Sequence, residues 1–463
     1  MTTPRYEKID ASPTKAFFVT MLTRDISLTD TILDLLDNCV DGANRVTRAA
    51  DSEKPYEGRY AQITFKAGEF MIHDNCGGIP WSLRDYVWRM GRPTNAPEGP
   101  ERAIGAYGIG MKRALFKLGR HSFITTQNGV DKYEVEITPK WLDRDDGTET
   151  WNLQPKASGT GMTEDGTTIL VRELRDDAKR AFGLDRQSFE TDLTERIAEH
   201  YARIIEKGFR VEVNGNPVVG RPVKLLFTNI LKPYLYRGAV DGVSVYLAVG
   251  LTRPPPTQQE LDDEQKMPRF SRREAGWTVI CNDRVLVYSD KTELTGWGTG
   301  VVPRYHNQFI AIAGLVEFTG APEMLPMTTT KRGVETTPLF LRVRDRMMEG
   351  TKLFTAFTYH WKGRENEVRN LMKDAQPLAL PEIKRKAAEL RFTKVKLHGG
   401  EGSQAIPELP RPAARPTDMR AIHFVKPAAQ VETVSRYLFN RADEQPSTVG
   451  EECFDRMYGE AKR

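Results

Sequence analysis

Three sets of residues in this chain combine types and spacings that could do chemistry. Asp34, Asn38 and Asp41 stand at i, i+4 and i+7. On a helix turning about 100° per residue they form one polar stripe about 60° wide, two carboxylates flanking a carboxamide. Such a stripe is either a solvated face or a place to hold a divalent cation and position a water. Asp37 lies in the same stretch but points about 60° away from Asp34. The second set is Asp74-Asn75-Cys76-Gly77-Gly78. It is either a plain turn or a carboxylate, Asp74, placed to accept a hydrogen bond from a ligand's exocyclic amine, with Gly77 and Gly78 letting the backbone come close. The third is Gly105-Ala106-Tyr107-Gly108-Ile109-Gly110-Met111-Lys112-Arg113. Its glycines run into an apolar segment, and N–H groups at such a helix start make a seat for phosphate. Gly110 is followed by Met-Lys-Arg, so this is not a Walker A loop, and the spacing is not that of a Rossmann fingerprint.

The elements that must position these residues are legible from periodicity. Leu28, Ile32, Leu35, Leu36, Cys39, Ala43 and Val46 form the apolar side of a helix over 27–47. Strands are expected at 62–65 and 70–73, a short helix at 84–90, a long loop at 91–102 rich in Gly, Pro, Asn and Glu, and a helix at 109–118. Strands at 122–126, 132–137 and 167–172 follow, then one amphipathic helix over 186–207. From 209 the pattern turns to strands, at 209–213, 243–251, 277–282 and 309–318, interrupted by a Pro-rich acidic insertion at 253–266. Helices occupy 338–373. Beyond 375, closely spaced prolines mark a linker holding one helix (381–395), and two short helices close the chain. The domains expected are 1–208, 209–375 and 376–463.

Composition narrows the field. Of 463 residues, 39% are hydrophobic and 28% charged, and no run of about 18 apolar residues exists to span a membrane. The first ten residues lack the apolar core of a signal peptide. Cys39, Cys76, Cys281 and Cys453 lie far apart with no CxxC pair, which fits free thiols in a cytoplasmic setting and not a zinc site. A net charge of +4 does not by itself imply nucleic-acid binding.

Taken in order, the three sets resemble the N, G1 and G2 boxes of the GHKL (Bergerat-fold) ATPases, the superfamily of Hsp90, MutL, type II topoisomerases and MORC proteins. Gly105-Ala106-Tyr107-Gly108-Ile109-Gly110-Met111-Lys112 looks most like the MORC-type branch. The resemblance implies an α/β (α+β) fold: a two-layer sandwich with a mixed sheet, then a transducer (S5-like) α/β domain and a helical tail. It implies ATP and Mg²⁺ as cofactors, Asn38 as the magnesium ligand, Asp34 as the water-activating acid and Asp74, with Gly78, as the adenine reader. Gly105, Tyr107, Gly108, Ile109, Gly110, Met111 and Lys112 would surround the triphosphate, under a lid at 91–104. Gly166-Thr167-Thr168-Ile169 resembles the later Gly-Thr box, with Thr167 and Thr168 supporting the adenine site. Thr328-Thr329-Thr330-Lys331-Arg332-Gly333 resembles the transducer loop, Lys331 ahead of Arg332 as the γ-phosphate contact. Two positions depart from the pattern: Asp34 stands where glutamate is usual, and Cys76 replaces a glycine of the G1 box.

The function expected is an ATP-gated homodimerisation switch with slow hydrolysis. The MORC-like likeness adds DNA, or a role in phage defence, by analogy alone. The alternatives are a non-hydrolysing nucleotide sensor controlling a partner effector and an Hsp90-like chaperone. No histidine has the context of a phospho-accepting kinase residue. The basic run Lys384, Arg385, Lys386, Arg391, Lys394 and Lys396 reads as a solvated helix face or a phosphate contact.

Overall fold

Helix starts in the first part of the chain follow their capping residues. Thr14 caps α1 (Lys15–Arg24) and Ser27 caps α2 (Leu28–Val46), each hydroxyl accepting a backbone N–H within the first turn. In this computed structural model the described residues are all except 1–13, 48–51, 93–102, 106–107, 145–150, 160, 263–272, 332, 398–399, 415–417, 419, 421 and 423. α2 packs on α4 (Gly110–Leu118) and α7 (Arg186–His200), and the same part of the chain forms α3 (Arg84–Val87), α5 (Pro139–Asp143), α6 (Asp176–Phe182) and α8 (Ala202–Glu206). Lys15 fixes α1 from inside: its ammonium donates to the Trp141 carbonyl at 2.6 Å and lies 3.8 Å from that indole's ring centre.

The first sheet contains β1 (Tyr60–Lys66), β2 (Glu69–Asp74), β3 (Gly119–Asn128), β4 (Asp131–Ile137), β5 (Pro155–Ala157), β6 (Gly166–Leu174), β7 (Arg210–Val213) and β8 (Asn216–Pro217), in the order β5-β4-β3-β6-β2-β1-β7-β8. It is mixed, because β7 pairs parallel with β1 while its other neighbours run antiparallel. Burial alternates along β1 and β2, so Ala61, Ile63, Phe65, Phe70 and Ile72 bury one face. That face shares a core with Ile32 and Leu36 of α2, Leu115 of α4 and Tyr201.

The second sheet is built from β10 (Tyr234–Val240), β11 (Val243–Leu251), β12 (Gly276–Cys281), β13 (Arg284–Asp290), β14 (Ile312–Thr319), β16 (Thr393–Leu397) and β17 (Gly400–Ala405), after a short β9 (Leu225–Phe227) that pairs with β15 (Gln376–Leu378). Its order is β13-β12-β14-β11-β10-β17-β16. Among its helices are α9 (Gln258–Asp262), α10 (Pro338–His360), α11 (Glu365–Met372) and α12 (Leu380–Ala387). Phe340, Val343, Met347 and Phe354 of α10 share one core with β11 and β14, and Ile383 of α12 belongs to another with Leu235, Ala248 and Leu315. The sheet therefore buries both faces, which explains the nearly continuous burial of β12 and β14. Residues 412–463 form a separate compact unit containing α13 (Ala428–Phe439) and α14 (Pro446–Ala461). No helix among the described residues is long and apolar enough to cross a membrane.

Three boundaries differ from the sequence reading. Residues 210–213, placed in the second domain, belong to the first sheet through their parallel pairing with β1. The stretch from 376, read as linker, supplies β15, α12, β16 and β17; the helix expected over 381–395 ends at Ala387, and Thr393–Leu397 is an edge strand. Pro377 lies in β15 and Pro381 in the first turn of α12, where a missing N–H costs no helical bond, and Lys394-Val395-Lys396-Leu397 alternates as a strand does. The single helix expected over 186–207 breaks at Tyr201 into α7 and α8. The basic run is split accordingly. Lys384 pairs with Glu317 and lies 4.8 Å from the centre of the Tyr246 ring, while Lys394 and Lys396 lie in β16.

Candidate functional site

The acidic stripe of α2 faces the start of α4. A side chain at Gly105 would meet the Asp41 carboxylate at 2.9 Å, and one at Gly110 would lie 3.6 Å from the Asp34 carboxyl carbon. Every residue from Asp30 to Val40 is buried except Asn38, which is exposed between those two contacts. The structure thus brings Asp34, Asn38, Asp41, Gly105 and Gly110 to one place.

Asp41 is occupied by the chain itself. Its two oxygens accept the N–H groups of Ile104 and Gly105 at 2.7 and 2.8 Å, which tethers the glycine-rich loop to α2. Burial raises its pKa to about 6 against the pull of those two bonds. Gly108 turns through positive φ (67°), and Ile109 caps α4 with no side-chain hydrogen bond among the described residues. Met111 faces the core. Lys112 does not extend outward as its expected phosphate role would suggest. It is buried, donating to the Val87 carbonyl at 2.7 Å and to the Gly108 carbonyl, and burial lowers its pKa to about 8. Tyr107, Arg332 and most of the expected lid lie outside the described residues.

Asp74 ends β2 opposite Thr167 of β6 and is buried. Its Oδ1 accepts the Cys76 N–H at 2.7 Å. Burial raises its pKa, opposed by that N–H and by the Cys39 thiol, and no basic side chain pairs with it at hydrogen-bond distance among the described residues. A carboxylate so placed is a strong acceptor for an amine N–H. The two threonines separate: Thr167 reaches Thr126 Oγ1 at 3.2 Å on the Asp74 side, whereas Thr168 bonds His73 Nδ1 at 2.9 Å on the opposite face. Gly78 also has a packing reason. At φ 62° its missing side chain would strike the Gln127 carbonyl oxygen at 1.9 Å.

Below the stripe lies an ionic cluster drawn from four parts of the chain. Arg113 of α4 pairs with Asp34, its Nε at 3.2 Å from Oδ2. Lys331, in the loop between β14 and α10, donates to Asp37 Oδ2 at 2.8 Å and lies 3.9 Å from Asp34. Arg284, at the start of β13, donates to Asp37 Oδ1 at 2.9 Å, and the Tyr201 hydroxyl donates to the same oxygen at 2.6 Å. For Asp37, burial works toward a higher pKa, but Lys331 and Arg284 outweigh it and hold the group at about 2. For Asp34, burial prevails over Lys331 and Arg113 and the pKa is raised. The turn before Arg284 docks on the same region: Asn282 donates to the Ala103 carbonyl at 3.0 Å, and Lys207 donates to both oxygens of Asp283 at 2.6 Å.

Arg284 and Tyr201 were not legible as site residues. Asp37 stands about 60° from Asp34 on the helical wheel, and that angle turns it toward Arg284 of β13. Asn282-Asp283 does carry a local signal, since both residues adopt positive φ (47° and 69°) as the central pair of a tight hairpin turn. Nothing in the sequence says where that turn docks.

Among the described residues no cluster of three His, Cys, Asp or Glu side chains could hold a metal ion. Magnesium that keeps waters and shares its coordination with phosphates needs only one or two protein ligands, so the exposed Asn38 carboxamide fits it. The chain matches no protein-family model, and a search of curated proteins likewise yields no relative for it.

Proposed function

We propose that this chain is a Mg²⁺-dependent ATP-binding switch of the GHKL type, in which a lysine from the second sheet domain senses the nucleotide bound to the first. The observation that carries this reading is Lys331, which reaches across 294 positions of sequence to the helix bearing Asn38. Asn38 would ligate the metal, Asp74 would accept the adenine amine, and the backbone N–H groups around Gly108 and Gly110 would face the phosphates. Bound Mg·ATP supplies a polyanion whose terminal phosphate is present before hydrolysis and gone after it. Asp41 holds the loop start against α2, and Lys112 ties Gly108 to α3, so the N–H groups are oriented by the protein and not by the ligand. Nucleotide-dependent homodimerisation, and work on DNA or through a partner effector, extend this by family analogy.

Asp34 favours a second form of the proposal, a sensor that binds without turnover. Its carboxylate is buried and engaged by Arg113, so it is poorly placed to take a proton from water. Titration calorimetry with Mg²⁺ and a non-hydrolysable ATP analogue tests the shared premise. Asn38→Ala should weaken binding at least tenfold while leaving the circular dichroism spectrum unchanged; equal affinity in that variant would remove the site assignment. Phosphate release then separates the slow ATPase from the sensor.

A further inference from the structure

The ionic cluster holds two carboxylates and three cations: Asp34 and Asp37 against Arg113, Arg284 and Lys331. Each acid has an arginine of its own, and the lysine is shared. The set therefore carries one positive charge in surplus, and withdrawing Lys331 would leave it balanced.

The two cations on Asp37 are not held alike. Arg284 is locked: besides Asp37 it donates to the Val285 carbonyl at 2.7 Å and the His200 carbonyl at 3.3 Å, and its guanidinium stacks 4.3 Å from the Tyr201 ring centre. Among the described residues, the Lys331 ammonium is held at ion-pair distance by the two carboxylates alone, with Asp41 acting on it from farther off. It sits at the tip of a turn closed by the Met327–Val334 bridge, with φ at 54°, a left-handed conformation that non-glycine residues rarely adopt. A cavity of about 220 Å³, lined by Asp34, Asp37, Arg284, Tyr288, Thr330 and Lys331, adjoins the pair and gives the loop room to move. If Lys331 leaves, Asp37 keeps Arg284 and the Tyr201 hydroxyl, so no buried charge is stranded.

We propose that Asp37 is the resting partner of Lys331, and that nucleotide binding exchanges Asp37 for phosphate while Arg284 and Tyr201 stay in place as its permanent counter-groups. Asp37 is then a positioning residue that sets how readily the transducer lysine is released. This rests on the ATP-switch reading but names a residue and an exchange beyond it. The exchange gives the switch a threshold, because phosphate must outcompete a formed ion pair and not merely attract a free lysine.

A double-mutant cycle on the full chain tests it. Asp37→Asn, Lys331→Met and the double variant are unfolded in urea with and without Mg²⁺ and a non-hydrolysable ATP analogue. Without nucleotide, Asp37 and Lys331 should be coupled by about tenfold in the unfolding equilibrium; at saturating analogue that coupling should vanish. No coupling in either condition overturns the resting pair, and coupling that persists with analogue bound overturns the exchange. Failure of the wild type to bind the analogue is a different result, and it sinks the ATP reading together with the exchange. Should Asp37→Asn not fold, Lys331→Met alone serves through hydrogen exchange. Residues 326–334 should then exchange at least tenfold faster than in wild type without nucleotide, and unchanged protection would overturn the resting pair.

Discussion

Asp37 shows how one turn of helix can separate two acids that look equivalent in sequence. Both it and Asp34 are buried on α2, yet burial prevails at Asp34 while two cations prevail at Asp37. The sign of the resulting pH dependence follows directly. The folded pKa of Asp37, about 2, lies below the ordinary 3.8, so its stabilising contribution is fully present above about pH 4 and is lost as pH falls toward 2. Asp37→Asn strips Arg284 and Lys331 of a buried counter-charge and should cost roughly 3–5 kcal/mol at neutral pH. Urea titrations at a series of pH values should show the gap between wild type and variant narrowing by about 2 kcal/mol through pH 4 to 2. A gap that stays constant over that range would mean that Asp37 is not the charged hub of this cluster.

Among the elements, α10 and the break between α7 and α8 do most to place the second domain's groups. Gly350 lets α10 lie directly on the sheet: a methyl there would stand 2.3 Å from Val249 Cγ1 and 2.8 Å from the Tyr234 ring. Both side chains are fully buried and the Tyr234 hydroxyl is hydrogen-bonded to Glu349 and Gln404, so Gly350→Ala should destabilise the protein by about 1–3 kcal/mol despite alanine's better helix propensity. Thermal unfolding would reveal the loss, and a stabilised variant would refute the packing reason for glycine. At the break, the Tyr201 hydroxyl lies 2.8 Å from the Leu33 carbonyl and 2.6 Å from Asp37 Oδ1 and shares its one proton between them, so Tyr201→Phe should cost about 1–3 kcal/mol and leave the Asp37 carboxylate with fewer donors.

At the scale of the molecule, the described hydrophobic cores all lie before residue 412. A chain ending at Arg411 should therefore keep both sheets and unfold cooperatively, which circular dichroism and calorimetry would register; loss of cooperative unfolding would show that 412–463 is needed for the cores. In the unit formed by 412–463, Val449 is buried while Tyr437, Phe454, Met457 and Tyr458 are exposed. The two short helices expected from the sequence stand there as α13 and α14.

The sequence by itself determined the elements whose cues are local. The polar stripe and apolar face of α2, the strands around Ile63 and Ile72, and the glycine-rich start of α4 can each be read from neighbours a few residues apart, because helix and strand periodicity and capping act at that range. Only the tertiary structure decided that 210–213 joins β1, that 393–405 extends the second sheet, and that Asp37 meets Lys331, Arg284 and Tyr201. A strand's alternation says which face is apolar but not which strand lies beside it. Likewise an arginine carries no mark of the carboxylate that will desolvate with it. Those pairings are selected when distant segments compete to bury surface and neutralise charge in one core, and that competition is a property of the folded chain as a whole.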